Sequence, residues 1–279
     1  MSTLSLVPNE RRFNRHLKIV PTHASFRDAK LTCLRRLRIF AEAVDSMIML
    51  GQTKPRALLF DFDGTLVDTA EAICRTFRQV LISHGVSPME DHQIRTLIGQ
   101  PLRDMLTLAT GRSDEKEIEK LTGEYRRIAA QVDGDCVRLF PGVEAFLAGL
   151  SDDVRKGIVT SRSHAGTRSI LRSFGLESQF QAVVGIEDVI RPKPHPEPVL
   201  RALEMLGADP DMGIMIGDTV SDMMAGTRAG VRTIGISTGS QTQKELLDAG
   251  AKVVVGSFSE LVTLLSDFWA GSAELSLIR

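Results

Sequence analysis

The stretch Leu59-Phe60-Asp61-Phe62-Asp63-Gly64-Thr65-Leu66 carries an apolar run directly into two carboxylates and a glycine turn. Alternation along a strand sends side chains i and i+2 to the same side. Asp61 and Asp63 are therefore expected to converge, and two anions at close range repel unless a cation intervenes. Taken alone, the stretch is equally an exposed acidic turn. The segments that follow it decide.

Three of them recur downstream in order. Ile158-Val159-Thr160-Ser161 puts two hydroxyls at the end of a second apolar run. Arg191-Pro192-Lys193-Pro194-His195-Pro196 sets a lysine in a proline-stiffened loop. Gly213-Ile214-Met215-Ile216-Gly217-Asp218-Thr219-Val220-Ser221-Asp222 ends a third apolar run with two more carboxylates. Together these segments predict a magnesium-dependent site that handles phosphate.

With these four pieces in order, residues 55–256 resemble the haloacid dehalogenase superfamily, and within it the phosphatases similar to phosphoglycolate phosphatase. The resemblance implies a Rossmann-like α/β core with an inserted helical cap. It casts Asp61 as a nucleophile that forms an aspartyl-phosphate, and Asp63 as the general acid and base, lending its backbone carbonyl to the metal. Asp61, Asp63, Asp218 and Asp222 would supply the Mg²⁺ site, Asp222 behind the others or as an alternate ligand. Thr160 and the amide of Ser161 would hold phosphoryl oxygens. Lys193 would neutralise phosphate and carboxylates together. Relatives commonly carry asparagine and lysine where this chain has Ser161 and Arg162, so Arg162 either touches substrate or covers surface. In the cap, Gln100 and Arg103 are specificity candidates, with an exposed helical arginine as the plainer account of Arg103.

The rest of the chain fits that expectation. Short apolar runs at 57–61, 155–160, 181–185, 212–216, 231–236 and 252–255 alternate with amphipathic stretches at 142–150, 165–174, 197–206, 221–229 and 242–249. This alternation predicts a mostly parallel sheet with helices on both faces. Between Asp68 and Phe140 the pattern changes to helices alone, about 69–83, 90–97, 100–109 and 114–131. Ser113, with Asp114 and Glu115 after it, is a sound start for the last of these. The expected domains are a basic extension over 1–54, a core over 55–68 and 138–279, and a cap over 69–137.

Charge sets the extension apart. The chain has net charge −1, yet residues 1–56 carry 11 Lys+Arg against 4 Asp+Glu. Leu31, Leu34, Leu37, Phe40, Val44 and Ile48 recur at helical spacing and predict a helix over 26–50. The segment has no uninterrupted apolar core of the secretory kind. A transit peptide, a basic anchor and an accessory helix all suit it, as does translation beginning at Met47 or Met49. Cys33, Cys74 and Cys136, odd in number and dispersed, suit a reducing compartment and argue against a disulfide framework. The expectation is a cytoplasmic monomer or homodimer with a small phosphorylated metabolite as partner, no nucleic acid and no membrane span.

Other functions remain in view. A phosphomutase or a pyrophosphate or nucleotide phosphatase would use the same motifs. A phosphonatase would need a cap lysine, and Lys116 and Lys120 lie among acids on what reads as a solvated helix face. A dehalogenase has no use for the acidic set. A non-enzymatic phospholigand binder would be expected to have lost Asp61, Asp63 or Lys193, and all three are present. His164 and His195 lie near the motifs and are read as loop-packing residues.

Overall fold

A computed structural model of the chain describes residues 55–270. The helix predicted over 26–50, the rest of the basic extension and Cys33 lie outside the described residues. The chain runs through β1 (Ala57–Phe60), β2 (Val67–Asp68), α1 (Ala70–Ser83), α2 (Asp91–Arg95), α3 (Leu102–Thr110), α4 (Glu115–Cys136) and β3 (Arg138–Leu139). It continues through α5 (Val143–Gly149), β4 (Arg155–Val159), α6 (His164–Ser173), β5 (Ala182–Val184), α7 (Glu197–Leu206) and β6 (Gly213–Gly217). α8 (Val220–Arg228), β7 (Arg232–Ile236), α9 (Gln243–Asp248), β8 (Val253–Val255) and α10 (Phe258–Ala270) complete it.

Strand β1 is apolar throughout and wholly buried, as a strand covered on both faces must be. It occupies the middle of a six-stranded sheet of order β5-β4-β1-β6-β7-β8. Every pairing in that sheet is parallel, so the α/β expectation holds. The order turns about β1: the chain builds β4 and β5 on one side of it, then crosses to β6, β7 and β8 on the other. Ligands in such sheets bind beyond the carboxyl ends of the strands where the order reverses. Edge-to-face contacts of Phe60 with Phe146 (6.0 Å) and Phe180 (6.3 Å) fix the helical and loop layer against the centre of the sheet.

Helices α1 to α4 lie between β2 and β3, which pair antiparallel as Val67 with Leu139 and Asp68 with Arg138. These two-residue strands are too short to leave a pattern in sequence. Helix α4 differs from expectation at both ends. Its N-cap is Asp114, which accepts from the amides of Lys116 (3.1 Å) and Glu117 (3.0 Å), one residue later than the Ser113 hydroxyl. Its far end reaches Cys136, because Val132 stays buried and prolongs the apolar face beyond residue 131. Phe77 of α1 meets Tyr125 of α4 edge-on at 5.2 Å. Among the described residues no helix is long and apolar enough to cross a membrane.

Candidate active site

Asp61, Thr160 and Asp218 each follow directly on one of three adjacent strands, β1, β4 and β6. Backbone hydrogen bonds that prolong the sheet by one residue hold two of them: Asp61 N–H donates to the Ile216 carbonyl (2.8 Å), and Thr160 N–H to that of Val184 (3.0 Å). The turn after β1 passes so close to Asp218 that a Cβ on Gly64 would collide with its carboxylate, and Gly64 also takes a φ of +87°. Only glycine meets both demands. The sharp turn and the packed acid are thus one requirement.

Lys193 reaches this floor from the loop before α7 and is buried with it. Its Nζ donates to Asp61 Oδ1 (2.7 Å), Asp222 Oδ1 (2.6 Å) and the Val159 carbonyl (3.1 Å), using all three of its protons. Asp222 is fixed further by a capping box at the start of α8, where Thr219 donates its amide (3.0 Å) and hydroxyl (2.6 Å) to Oδ2. Both Asp222 oxygens are therefore already engaged. Thr65 Oγ1 donates to Asp218 Oδ1 (2.6 Å).

Three buried carboxylates surround this single ammonium. Burial, with the Asp222 charge adding to it, pushes the Asp61 carboxyl up to about 7, although Lys193 pulls the other way. Burial and the charges of Asp61 and Asp222 hold Asp218 well above the ordinary carboxylate range. Burial would lower Lys193, but Asp222 and Asp61 outweigh it and keep the ammonium charged. The cluster is short of positive charge.

That shortage tests the metal expectation. One oxygen from each of Asp61, Asp218 and Asp222 lies within 4.8 Å of the others. Hard carboxylate oxygens in a buried, anion-rich setting suit Mg²⁺. Oδ2 of Asp218 receives no side-chain or backbone donor among the described residues and Asp61 Oδ1 accepts only from Lys193, whereas both Asp222 oxygens already accept, Oδ1 from Lys193 and Oδ2 from two groups of Thr219. The donor set fits, with Asp61 and Asp218 in front and Asp222 behind.

Asp63 lines the same cavity as Asp61 but is held differently. Its carboxylate does not join this cluster, because the chain has left the strand at Asp61 and the turn redirects the next side chain. Arg162 instead grips it, donating from Nε to both oxygens (3.1 Å each) and from Nη2 to Oδ1 (2.8 Å). Nη1 of the same guanidinium donates to Asp133 Oδ2 in α4 (3.2 Å). Arg162 thus neither covers surface nor offers a free guanidinium to substrate: its side chain is only 12% exposed and ties the loop after β4 to α4. Burial opposes its charge, and Asp63 and Asp133 more than restore it.

A cavity of about 610 Å³ opens in front of Asp61, lined also by Asp63, Thr160, Ser161 and Gln100. Ser161 Oγ donates to the Gly99 carbonyl (2.9 Å), so its hydroxyl joins the core to the segment before α3. Arg103 lies apart on the surface, paired with Glu119 (2.6 Å) and Glu115 (3.7 Å), and is withdrawn as a specificity residue. Lys116 and Lys120 are exposed on α4, outside the cavity lining. His164 bonds Asp188 (3.0 Å) and Arg168 (2.8 Å), and His195 Nδ1 accepts from the Glu197 amide (3.1 Å). Both histidines pack loops, as expected. Thr65 and Asp133 were missed. Thr65 had a signal, since a hydroxyl directly after the acidic turn is placed to hold a neighbouring acid. Asp133 belongs to another segment, and nothing local marks it.

Residues 58–236 match the haloacid dehalogenase-like hydrolase family. The chain is 36% identical over 213 residues to Probable phosphatase IndB of Dickeya dadantii (strain 3937), covering 74% of this chain and 91% of that protein. It is 31% identical over 215 residues to pyrophosphatase PpaX of Bacillus cereus (strain AH820), covering 77% of this chain and 98% of that protein. A hydrolase from Pseudomonas syringae superposes with a TM-score of 0.68 at 26% identity, over 76% of this chain and 98% of its own. The chain belongs to the haloacid dehalogenase-like hydrolase family, among its phosphatases.

Proposed function

We propose that this enzyme hydrolyses a small phosphomonoester with Mg²⁺, through an aspartyl-phosphate on Asp61. The observation that carries the reading is Lys193, which holds one oxygen of Asp61 and leaves the other without a protein donor. That free oxygen attacks phosphorus as the bond to the leaving alcohol breaks, while Oδ1, which keeps a lone pair beside its bond to Lys193, would face the metal. Thr160 Oγ1 and the Ser161 amide hold the phosphoryl oxygens where charge grows. Asp61 and Asp218, with Asp222 behind them, would hold Mg²⁺, whose charge would offset the repulsion between carboxylate and phosphate. Asp63 protonates the leaving oxygen, then takes a proton from the water that attacks the aspartyl-phosphate, freeing phosphate and Asp61. Arg162 donates to both oxygens of Asp63, so donation requires the pair to part and Asp63 to take up a proton from the phosphomonoester monoanion or from solvent as substrate binds. Helices α1 to α4 act as the cap over this cavity, and the enzyme works in the cytoplasm.

The PpaX relative favours a second reading, with pyrophosphate as substrate. One assay tests both: phosphate release from phosphomonoesters and pyrophosphate, with Mg²⁺ and with a chelator. Release that needs Mg²⁺ is expected. Asp61→Asn, nearly isosteric but a far poorer nucleophile, is expected to lose about 10⁴-fold or more in kcat while remaining folded. Appreciable turnover by that variant overturns the mechanism.

A further inference from the structure

The cavity is far larger than phosphate requires, and its lining describes the rest of the substrate. Cavities of roughly 300–1,000 Å³ accommodate whole organic ligands, and this one measures about 610 Å³. Asp61, Thr160 and Ser161 account for its phosphate end. Beyond them the walls are largely apolar: Ile73, Ile98, Leu102 and Met105 on the helical segment, Ile170 on α6 and Phe174 just after it.

The charged groups of the lining decide what kind of leaving group fits. Its anions are Asp61, Asp63 and Asp133, and its cations are Arg126, Arg138 and Arg162. Arg162 is already shared between Asp63 and Asp133, and when Asp63 leaves it to act on the substrate its charge stays matched by Asp133. Arg138 turns its terminal nitrogens onto the carbonyls of Val137 (2.7 Å) and Asp135 (2.7 Å). Arg126 lies on the exposed face of α4, where an anion keeps its water. A second phosphate or a carboxylate entering with the substrate would therefore lose hydration beside Asp63 and Asp133 with no buried cation to receive it. Burying an unpaired charge is costly, while an uncharged body gains by covering the apolar walls.

We propose that the substrate is the phosphomonoester of an uncharged, bulky and mainly apolar alcohol, and not pyrophosphate, a phosphorylated hydroxy acid or a bisphosphate. The proposal rests on the phosphatase reading above.

The test compares alkyl leaving groups of similar reactivity. Rates of phosphate release with Mg²⁺ are measured for hexyl phosphate, methyl phosphate and 2-phosphoglycolate, with pyrophosphate alongside. The expected result is a kcat/KM for hexyl phosphate at least tenfold above those for 2-phosphoglycolate and pyrophosphate. Preference for either anionic substrate overturns this inference and leaves the phosphatase reading intact. No release from any of the four overturns the phosphatase reading itself. Ala129→Leu, which fills the buried α4 wall of the cavity, is expected to raise KM for hexyl phosphate at least fivefold and to leave methyl phosphate turnover unchanged. An unchanged KM for hexyl phosphate in a variant that still turns over methyl phosphate means the body lies elsewhere, and overturns the proposal.

Discussion

Asp61 and Asp63 are two residues apart, and the fold gives them opposite surroundings. Asp61 shares one buried ammonium with Asp222 and lies beside Asp218, so that three carboxylates face a single lysine. Asp63 has a whole guanidinium in bidentate contact and only Asp133 to share it with. The first cluster is under-compensated and buried at the cavity floor, a place where a divalent cation would gain energy on binding. The second is nearly matched within the protein and spans from the core loop to α4. In the proposed mechanism, charge shortage would prepare one acid to bind metal and attack, whereas charge balance would hold the other until substrate disturbs it.

Removing the lysine should break the first cluster hardest. Lys193→Met leaves Asp61 and Asp222 buried without their shared counter-charge. Losing one partner of a buried pair typically costs about 3–5 kcal/mol, and loss of a pre-aimed charge at the reacting centre costs about 10²–10³-fold in kcat. Urea unfolding and phosphate release should show both losses together. A variant as stable as the parent would mean that the acids, not the lysine, set the energetics of this floor.

Metal and pH sharpen the same cluster. The folded pKa of Asp61, about 7, lies above the unfolded 3.8, so between those values the folded protein holds a proton that the unfolded chain has released. Stability without metal therefore falls as pH rises from about 4 to 7. Mg²⁺ competes with that proton and should stabilise most at high pH. At 100 times its Kd it should add about 2.7 kcal/mol at pH 8, read as a Tm increase of roughly 5–10 °C, and much less at pH 5. An equal increase at both pH values would place the metal away from these carboxylates.

How much of this was legible in sequence follows the same division. Asp61, Asp218 and Thr160 end apolar runs, and strand ends in a parallel sheet point at the site, so local pattern sufficed to place them. Lys193 was marked by its prolines and its place between the motifs. Asp63 shares the cavity with Asp61 as expected, but its partner Arg162 was not legible, because period-two alternation applies only within a strand and β1 stops at Phe60. Asp133 was invisible, since its partner Arg162 is 29 residues away and the contact exists only because α4 continues past residue 131. Arg103 failed for a simpler reason: helical spacing alone does not tell a cavity wall from a surface ion pair. Patterns of one element are readable, whereas pairings between segments need the packed chain.

The second cluster should break more gently. Arg162→Met leaves Asp63 and Asp133 partly buried and facing one another, at a cost of about 2 kcal/mol. It should also lower kcat about tenfold with little change in KM, because an unheld Asp63 takes other rotamers. Arg162→Lys, which keeps the charge but not the fork, should recover stability better than kcat. Full activity in Arg162→Met would mean that Asp63 needs no positioning by the guanidinium before the pair parts.

The smallest effect is expected at Asp133. Its side chain is 17% exposed and makes one bond to a guanidinium that keeps three others. Asp133→Asn preserves shape and an acceptor oxygen while removing the charge, so stability should change by less than about 1 kcal/mol. Burial holds the Asp133 carboxyl above its ordinary value despite Arg162, which further reduces what the charge contributes. If α4 matters to catalysis through this contact, kcat should still fall by a few-fold, because Arg162 would then answer to Asp63 alone and grip it more firmly. A kcat identical to the parent's, with Arg162→Met impaired, would confine the working pair to Asp63 and Arg162 and leave α4 only its part in the cavity wall.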